Sequence, residues 1–338
     1  MADTRPTRAH PERLVVVWRV TTRCNLSCGF CAYDRRLPFA RCDAPESSAC
    51  SLERLLVRMA AESGKDVHVS FLGGEPFVWE PLPRVARAFH AQGLSLGITT
   101  NGVSLGTTAV RELLLDCFDE LTLSIDGLAT RHDHLRGWPR GFERLSAALA
   151  DLVQAKARRG RGPRLRVNTV LMRDNIEEFP ELCRALAALG VQELSFNRLG
   201  GRDRPEFFEL HRLLPVDLER FACGLPALRR ELSALGLQIL GAHAYLERLL
   251  SLERGERVAV EDCAPGQRFL FVDEHGQIAP CSFSVDSYGE PLPRPEAAPA
   301  ERAGHELSRR FLLRQTSKRA LVCDDCASTQ VFEKFRGA

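Results

Sequence analysis

Strand-like and helix-like segments alternate along the first two hundred residues, and this alternation constrains the fold more than any other feature of the sequence. Short apolar, β-branched runs stand at 13–20 (RLVVVWRV), 67–72 (VHVSFL), 95–100 (SLGITT), 120–126 (ELTLSID), 164–172 (RLRVNTVLM) and 191–196 (VQELSF). Between them, apolar residues recur at helical spacing over 51–63, around 83–92 and 107–116, and over 141–158 and 176–188. Ser51 reads as the N-cap of the first helix and Gly64 as its stop. Strands that each return through a helix run parallel, joined by right-handed crossovers. The fold class is therefore α/β, a parallel sheet or barrel whose sites gather where strands end and loops begin. A chain of 338 residues is long enough for one large domain and a small one.

The loop after the first strand reads TTRCNLSCGFC, which sets Cys24, Cys28 and Cys31 at C-x3-C-x2-C with Phe30 before the last. Three thiolates can hold three irons of a [4Fe–4S] cube and leave the fourth open to a small molecule, whereas an electron-transfer cluster takes four cysteines. A zinc loop is the plainer alternative. Three further stretches fall at strand ends: Gly73-Gly74-Glu75-Pro76, Thr100-Asn101-Gly102 and SIDGLATRHDHLRG over 124–137. Read alone, the first two are turns. His132 and His134 could form a zinc pair, but no third ligand lies near them in sequence.

Taken together, these motifs resemble the radical S-adenosylmethionine (SAM) superfamily. The resemblance implies a partial (β/α)6 barrel, and the independent strand count agrees with it. It also implies that the cube on Cys24, Cys28 and Cys31 chelates SAM through its open iron, with Phe30 alongside. Gly73, Gly74 and Glu75 would take the SAM amino group, and Thr100 and Asn101 would belong to the same pocket. By position, Ser124 and Arg136 would bind the SAM carboxylate, a natural pairing of hydroxyl and guanidinium with an anion. Asp126 and Asp133 would shape the loop or hold Arg136. Asn168, unusual in mid-strand, matches a position that contacts SAM; a core asparagine satisfied by backbone is the alternative.

Beyond the sixth strand, residues 197–215 are polar and carry Arg198, Arg202, Asp203, Arg204 and Glu206, fitting either a substrate-holding loop or a solvated one. Residues 216–252 read as two helical segments around a short strand at 237–240. In the tail, Cys263, Cys281, Cys323 and Cys326 are separated by seventeen, forty-one and two residues. A hairpin with its turn at Glu274-His275-Gly276 precedes Cys281. This tail resembles the Twitch extension, which holds one auxiliary [4Fe–4S] cluster; a structural zinc site is the competing reading. The resulting division is a barrel over 1–245 and a small C-terminal Twitch-type iron–sulfur domain over 246–338. Residues 285–303, rich in Pro and Ala, read as an exposed loop within it.

Composition excludes several classes of function. The net charge is +2, so nothing argues for nucleic acid or an anionic membrane as a partner. No run of eighteen apolar residues exists, and the first twenty residues lack a signal-peptide core. Twelve cysteines are many for a chain without metal, and thiol-rich loops place it in the reducing cytoplasm. Cys42, Cys50, Cys117, Cys183 and Cys223 stay unassigned, although Cys117 and Cys183 sit in helical patterns and read as small buried residues.

The resemblance to the SPASM/Twitch branch implies an enzyme in which a 5′-deoxyadenosyl radical takes hydrogen from an unactivated C–H bond of a natural-product substrate. With a four-cysteine auxiliary cluster accepting one electron, the net result is a two-electron oxidation, similar to the alcohol-oxidising dehydrogenases of aminocyclitol antibiotic pathways. Cross-linking by a ribosomal-peptide maturase has the same electron count. Twenty-three residues precede Cys24, too few for a leader-binding domain, which leans toward a small or freely docking substrate. A redox-neutral epimerase would need a thiol hydrogen donor, for which Cys223 is the first candidate. A flavodoxin- or ferredoxin-type donor would reduce the first cluster. Outside enzymes, a zinc- or cluster-bearing scaffold is the alternative.

Overall fold

The computed structural model describes residues 13–201, 203–257, 259–260, 263–293, 303–317, 323, 324, 326 and 334. Along the first half the elements run β1 (Arg13–Thr21), α1 (Glu46–Ser63), β2 (Asp66–Gly73), α2 (Leu82–Ala91), β3 (Ser95–Thr100), α3 (Thr108–Cys117), β4 (Glu120–Ser124), α4 (Ala129–Arg136) and α5 (Gly141–Arg159). They continue as β5 (Arg164–Leu171), α6 (Phe179–Ala188), β6 (Glu193–Arg198), α7 (Pro205–His211), α8 (Pro215–Ala234), β7 (Gln238–Ile239) and α9 (His243–Glu253). The C-terminal part supplies β8 (Phe269–Val272), β9 (Gln277–Ala279), α10 (Val285–Tyr288), β10 (Glu290–Pro291) and α11 (Ala303–Ser317).

Strands β1 to β7 lie side by side in chain order, every neighbouring pair parallel. This is the expected partial (β/α)6 barrel with one short strand added. At the other edge β8 pairs parallel with β1, followed by antiparallel β9 and β10. The C-terminal hairpin is thus part of the same sheet. The expected turn at 274–276 joins β8 to β9, and residue 246, where the second domain was expected to begin, falls inside α9.

The two faces of each strand are sorted by the period of two that a strand imposes. In β1, Leu14, Val16, Trp18 and Val20 are buried under the helices, while Arg13, Val15, Val17 and Arg19 alternate toward the barrel lumen. The outer face carries the apolar core, in which Trp18 meets Phe71, Trp79 and Phe89 at centroid distances of 5.3–6.1 Å. Removing one such buried aromatic typically costs about 3–5 kcal/mol. The lumen face is polar instead. At its base Arg13 donates to Glu120 (2.6 Å) and Arg164 to Glu193 (2.9 Å), so charge pairs line the amino ends of the strands. A polar lumen closed below by ion pairs leaves the carboxyl ends as the reactive side.

Several boundaries differ from the sequence reading for identifiable reasons. Helix α1 begins at Glu46 behind Pro45, whose extended backbone (φ −65°, ψ 142°) starts the helix one turn early, so Ser51 is a buried interior residue rather than the N-cap. Gly64 ends it in the left-handed conformation, as expected. Helix α4 carries no apolar stripe, its buried residues being His132, Leu135 and Arg136, so hydrophobic spacing could not announce it. Helix α7 likewise sits in the stretch read as polar loop, with no buried residue of its own. Strand β6 is shifted two residues toward the C-terminus, and α6 begins at Phe179 rather than 176. Residues 1–12 and 294–302, with the readings placed on them, lie outside the described residues. Among the described residues no helix is long and apolar enough to cross a membrane.

Candidate cluster and cofactor site

The loop carrying Cys24, Cys28 and Cys31 leaves the carboxyl end of β1 and is tied down at both ends. Thr22 N donates to Cys42 O (2.9 Å), Thr21 Oγ1 to Asp43 Oδ1 (2.6 Å) and Arg23 N to Thr21 Oγ1 (2.9 Å). Arg41 donates to the carbonyls of Thr22 (2.9 Å), Tyr33 (3.2 Å) and Leu37 (3.4 Å), filling the loop's interior with one guanidinium. Backbone N–H groups of Leu26 and Tyr33 point at Cys24 Sγ (3.5 Å) and Cys31 Sγ (3.4 Å). Such donors favour thiolate and tune a bound cluster.

Burial pushes the Cys28 thiol up to about 12 despite Arg136 nearby, and it also raises Cys24 and Cys31. Cys28 is buried and Cys24 and Cys31 are half-buried, all three on one loop. A single zinc at about 2.3 Å from each sulfur would set the sulfurs roughly 3.8 Å apart. Among the described residues, no three cysteine sulfurs lie within 4.8 Å of one another. The wider spacing suits a multi-iron cube better than one ion.

Gly73 and Gly74 meet this loop at close range. A Cβ on Gly73 would stand 2.3 Å from Thr21 O, and one on Gly74 2.1 Å from Arg23 O. The paired glycines therefore let the cluster loop lie on β2, where the sequence suggested approach to a ligand. Gly74 N and Glu75 N donate to Thr21 O and Arg23 O, both at 2.8 Å. The Glu75 side chain is fully buried and accepts from Phe77 N (3.1 Å), Thr100 Oγ1 (2.7 Å) and Asn101 N (2.8 Å). Burial raises its carboxyl pKa, and these donors oppose the rise. Asn101 Nδ2 in turn donates to Asn25 Oδ1 (2.8 Å) and approaches Cys24 Sγ (3.8 Å). Glu75, Thr100 and Asn101 thus form one buried brace under the cysteine loop, each with partners inside the protein.

On the other flank stands Arg136, the last residue of α4. Its guanidinium pairs with Asp126 Oδ2 at 2.6 Å and lies over the Phe30 ring at 5.3 Å, and its carbonyl accepts from Cys28 Sγ (3.7 Å). Burial works against its charge, but Asp126, Cys28 and Cys31 more than offset this and raise its pKa. Burial raises the Asp126 carboxyl, opposed by the charge of Arg136 beside it and by Val170 N, which donates to Asp126 Oδ1 (2.8 Å). Asp133 instead accepts from Phe142 N (2.9 Å) at the start of α5. His132 and His134 diverge: His132 is fully buried and accepts from Asp126 N (3.4 Å), whereas His134 is exposed.

A cavity of about 690 Å³ fills the lumen. Its upper wall includes Arg19, Tyr33, Thr99, Thr122, Asn168, Ser195 and Asn197, and its C-terminal wall includes Phe271, Cys281, Phe283 and Lys334. Asn168 Oδ1 accepts from Ser195 Oγ (3.0 Å) and Lys334 Nζ (2.9 Å), so this mid-strand asparagine serves side chains in the lumen. Ser124 stands beside it in register across β4 and β5. Burial, with Arg166 nearby, lowers Lys334 to about 7. The sequence reading passed over Lys334, although a signal existed: only four lysines stand against forty-two arginines. Arg19 and Tyr33 were missed too, being a strand residue and a loop aromatic without a motif.

The four tail cysteines approach one another. Burial first, then the thiols of Cys281, Cys326 and Cys323, push Cys263 up to about 11. Cys263 is exposed and the other three are half-buried. Of the remaining cysteines, Cys117 and Cys183 are buried, as read, while Cys50 and Cys223 are exposed. Cys223 lies on α8 and is not among the residues lining the lumen, whereas Cys281 is.

Comparison with protein families matches residues 18–232 to the Radical SAM superfamily. Among curated proteins, the chain is 26% identical over 286 residues to the AdoMet-dependent heme synthase of Methanosarcina barkeri (strain Fusaro / DSM 804), covering 80% of this chain and 76% of that one. It is 26% identical over 282 residues to the PqqA peptide cyclase of Xanthomonas oryzae pv. oryzae (strain MAFF 311018), covering 80% and 68%. Among solved structures, Streptococcus suis SuiB bound to S-adenosylmethionine shares the fold with a TM-score of 0.60 at 20% identity. That match covers 83% of this chain but 63% of SuiB, so the chain spans less than two thirds of SuiB's length. Native anSMEcpe with bound AdoMet gives a TM-score of 0.60 at 17% identity, covering 93% and 88%.

Proposed function

The chain belongs to the radical SAM superfamily of enzymes, and from that premise we propose that it oxidises a C–H-bearing natural-product substrate by two electrons. The family's [4Fe–4S] cluster and SAM supply a 5′-deoxyadenosyl radical that takes a hydrogen atom from the substrate. This chain's residues would do the rest. Cys24, Cys28 and Cys31 would hold the first cluster, braced by Glu75, Thr100 and Asn101. Arg136, fixed by Asp126 and stacked on Phe30, would face the SAM carboxylate, with Ser124 and Asn168 on the adjoining strands. Arg19, Tyr33 and the amides of the lumen would orient the substrate and exclude water around it.

The observation that carries the oxidising reading is the position of Cys281, which lines the lumen and also belongs to the gathered tail cysteines. Cys263, Cys281, Cys323 and Cys326 would hold an auxiliary [4Fe–4S] cluster at the edge of the substrate cavity, in a Twitch-type extension from residue 246 onward. Loss of a hydrogen atom to the 5′-deoxyadenosyl radical, then of an electron to that site and a proton to solvent, would complete a two-electron oxidation. A flavodoxin- or ferredoxin-type protein of the reducing cytoplasm would reduce the first cluster. A second reading, peptide cross-linking, draws support from the relative named PqqA peptide cyclase and has the same electron count. The lumen position of Cys281 serves both, and the exposed Cys223 on α8 gives no support to the epimerase reading.

Anaerobic reconstitution tests the proposal. The wild type should hold roughly eight irons as two clusters of four. Cys323→Ala or Cys326→Ala should keep about half of that iron, and should still cleave SAM to 5′-deoxyadenosine while losing net substrate oxidation. A wild type with one zinc and no more than about four irons would refute the auxiliary cluster.

A further inference from the structure

Cys42, unassigned by its sequence context, stands against two residues of the β8–β9 turn more than two hundred positions away. Its Sγ lies 3.8 Å from Glu274 Oε1, and His275 Nε2 lies 3.6 Å from that same oxygen. The three donor atoms all fall within 4.8 Å of one another, the one such group among the described residues. Thiolate, carboxylate and imidazole are the ligand types of zinc, whose bonds of about 2.0–2.3 Å set tetrahedral neighbours roughly 3.3–3.5 Å apart. The two spacings to Glu274 Oε1 need to contract by only a few tenths of an ångström to reach that geometry, and the exposed His275 ring can turn to close the third edge.

The surroundings hold the donors in place, and besides Glu274 the Cys42 thiol meets the Thr22 hydroxyl at 3.6 Å, a contact a metal–sulfur bond would replace. Cys42 N donates to Thr22 Oγ1 (2.9 Å) and its carbonyl receives Thr22 N (2.9 Å), which fixes the backbone that presents the thiol. Asp273 Oδ1 accepts from His275 N (2.9 Å) and Gln277 N (2.8 Å), which fixes the turn. Arg19 pairs with Glu274 through Oε2, the oxygen turned away from Cys42 and His275. That contact orients the carboxylate and leaves Oε1 for a cation. Glu274 is buried while the His275 side chain is 65% exposed, so the group is anchored on one side and open to entry on the other.

We propose that Cys42, Glu274 and His275 form a mononuclear site for zinc or a cation of the same borderline class, separate from both cysteine sets. Three protein ligands leave the fourth tetrahedral position for water. Binding breaks the Cys42 S–H bond, forms a metal–sulfur bond and releases one proton to solvent; no electron is transferred. The ion would clip the return of the cluster loop to the hairpin that extends the sheet beyond β1.

The test titrates the anaerobically reconstituted holoenzyme with Zn²⁺ against a chromophoric chelator. The wild type should retain one equivalent that both Cys42→Ser and His275→Ala lose, with iron content unchanged in each variant. Zinc-edge X-ray absorption should give one sulfur and otherwise nitrogen or oxygen. Because the His275 ring is exposed, its removal separates ligation from folding. Retention of the equivalent by His275→Ala would overturn the site, as would a four-sulfur shell, loss of iron along with the zinc, or no zinc bound by the wild type.

Discussion

The two cysteine sets of this chain are built in opposite ways. Around Cys24, Cys28 and Cys31 the protein completes the site by itself. The loop is pinned to β1 and β2 by backbone bonds, filled by Arg41, braced by Glu75 and flanked by the Asp126–Arg136 pair. Around Cys263 and Cys281, among the described residues, the contacts at sulfur come from side chains of the C-terminal part. Cys263 precedes β8 outside any helix or strand and meets Gln315 Nε2 at 3.8 Å, and Cys281 meets Ser284 Oγ at 3.2 Å. A site completed by the fold is tuned by its metal, whereas a site completed by the metal needs it in order to fold.

The largest effect should come from taking iron away. In the iron-free protein, amide hydrogen exchange should leave β1 to β6 protected and raise exchange sharply over 263–293 and 303–317. In parallel, Cys24→Ala/Cys28→Ala/Cys31→Ala should abolish SAM cleavage while shifting the barrel's melting little. If iron removal exposes the cysteine loop and β1 as readily as the tail, the contrast between the two sets is wrong.

The next effect is smaller and belongs to the N-terminal set alone. Asp126→Asn leaves the Arg136 guanidinium buried beside an uncharged partner, and breaking a buried pair in this way costs about 3–5 kcal/mol. The loss, read by urea denaturation, should be the same with and without iron, because the pair belongs to the fold. Arg136→Lys should keep more of the stability but weaken SAM binding, since the planar fork that can take a carboxylate is lost. Equal SAM affinity in wild type and Arg136→Lys would remove Arg136 from the cofactor site.

How far this was legible in the sequence follows the same division. The parallel strands of the barrel and the cysteine loop were readable because period and spacing are local properties, whereas β1 read as an apolar run and its polar lumen face, Arg13 and Arg19, did not stand out. Helices α4 and α7 were not, since neither buries an apolar stripe. The second role of Gly73 and Gly74 escaped because the atoms they must clear, Thr21 O and Arg23 O, come from a different strand end. Glu75 was read as facing a ligand; besides the nearby Phe77 N, its partners are the last residue of β3 and the one after it, some twenty-five residues on. Lys334 and the trio of Cys42, Glu274 and His275 exist only through contacts across more than 150 positions, which no motif records.

The smallest effect separates the two regions by pH. His132 is fully buried in α4, and burial, then the charge of Arg136, holds its imidazole down to about 3. In the unfolded chain the same group titrates near 6.5. Below about pH 6.5 the unfolded state therefore binds the extra proton and the folded state does not, so stability is lost as pH falls from there toward 3, and nothing is lost above. One such group contributes at most about 1.4 kcal/mol per pH unit, or roughly 2 kcal/mol between pH 6.5 and 5. Lys334, lowered to about 7, acts in the opposite window: the unfolded state holds its proton up to about 10.4, so stability rises with pH between the two values. His132→Asn retains an acceptor for Asp126 N but cannot titrate. Its unfolding free energy should fall less than that of the wild type between pH 6.5 and 5, with no change in the alkaline slope. Lys334→Met should flatten only the alkaline slope. A His132→Asn variant with the wild-type acid slope would mean that the barrel's acid sensitivity lies elsewhere, in its paired carboxylates.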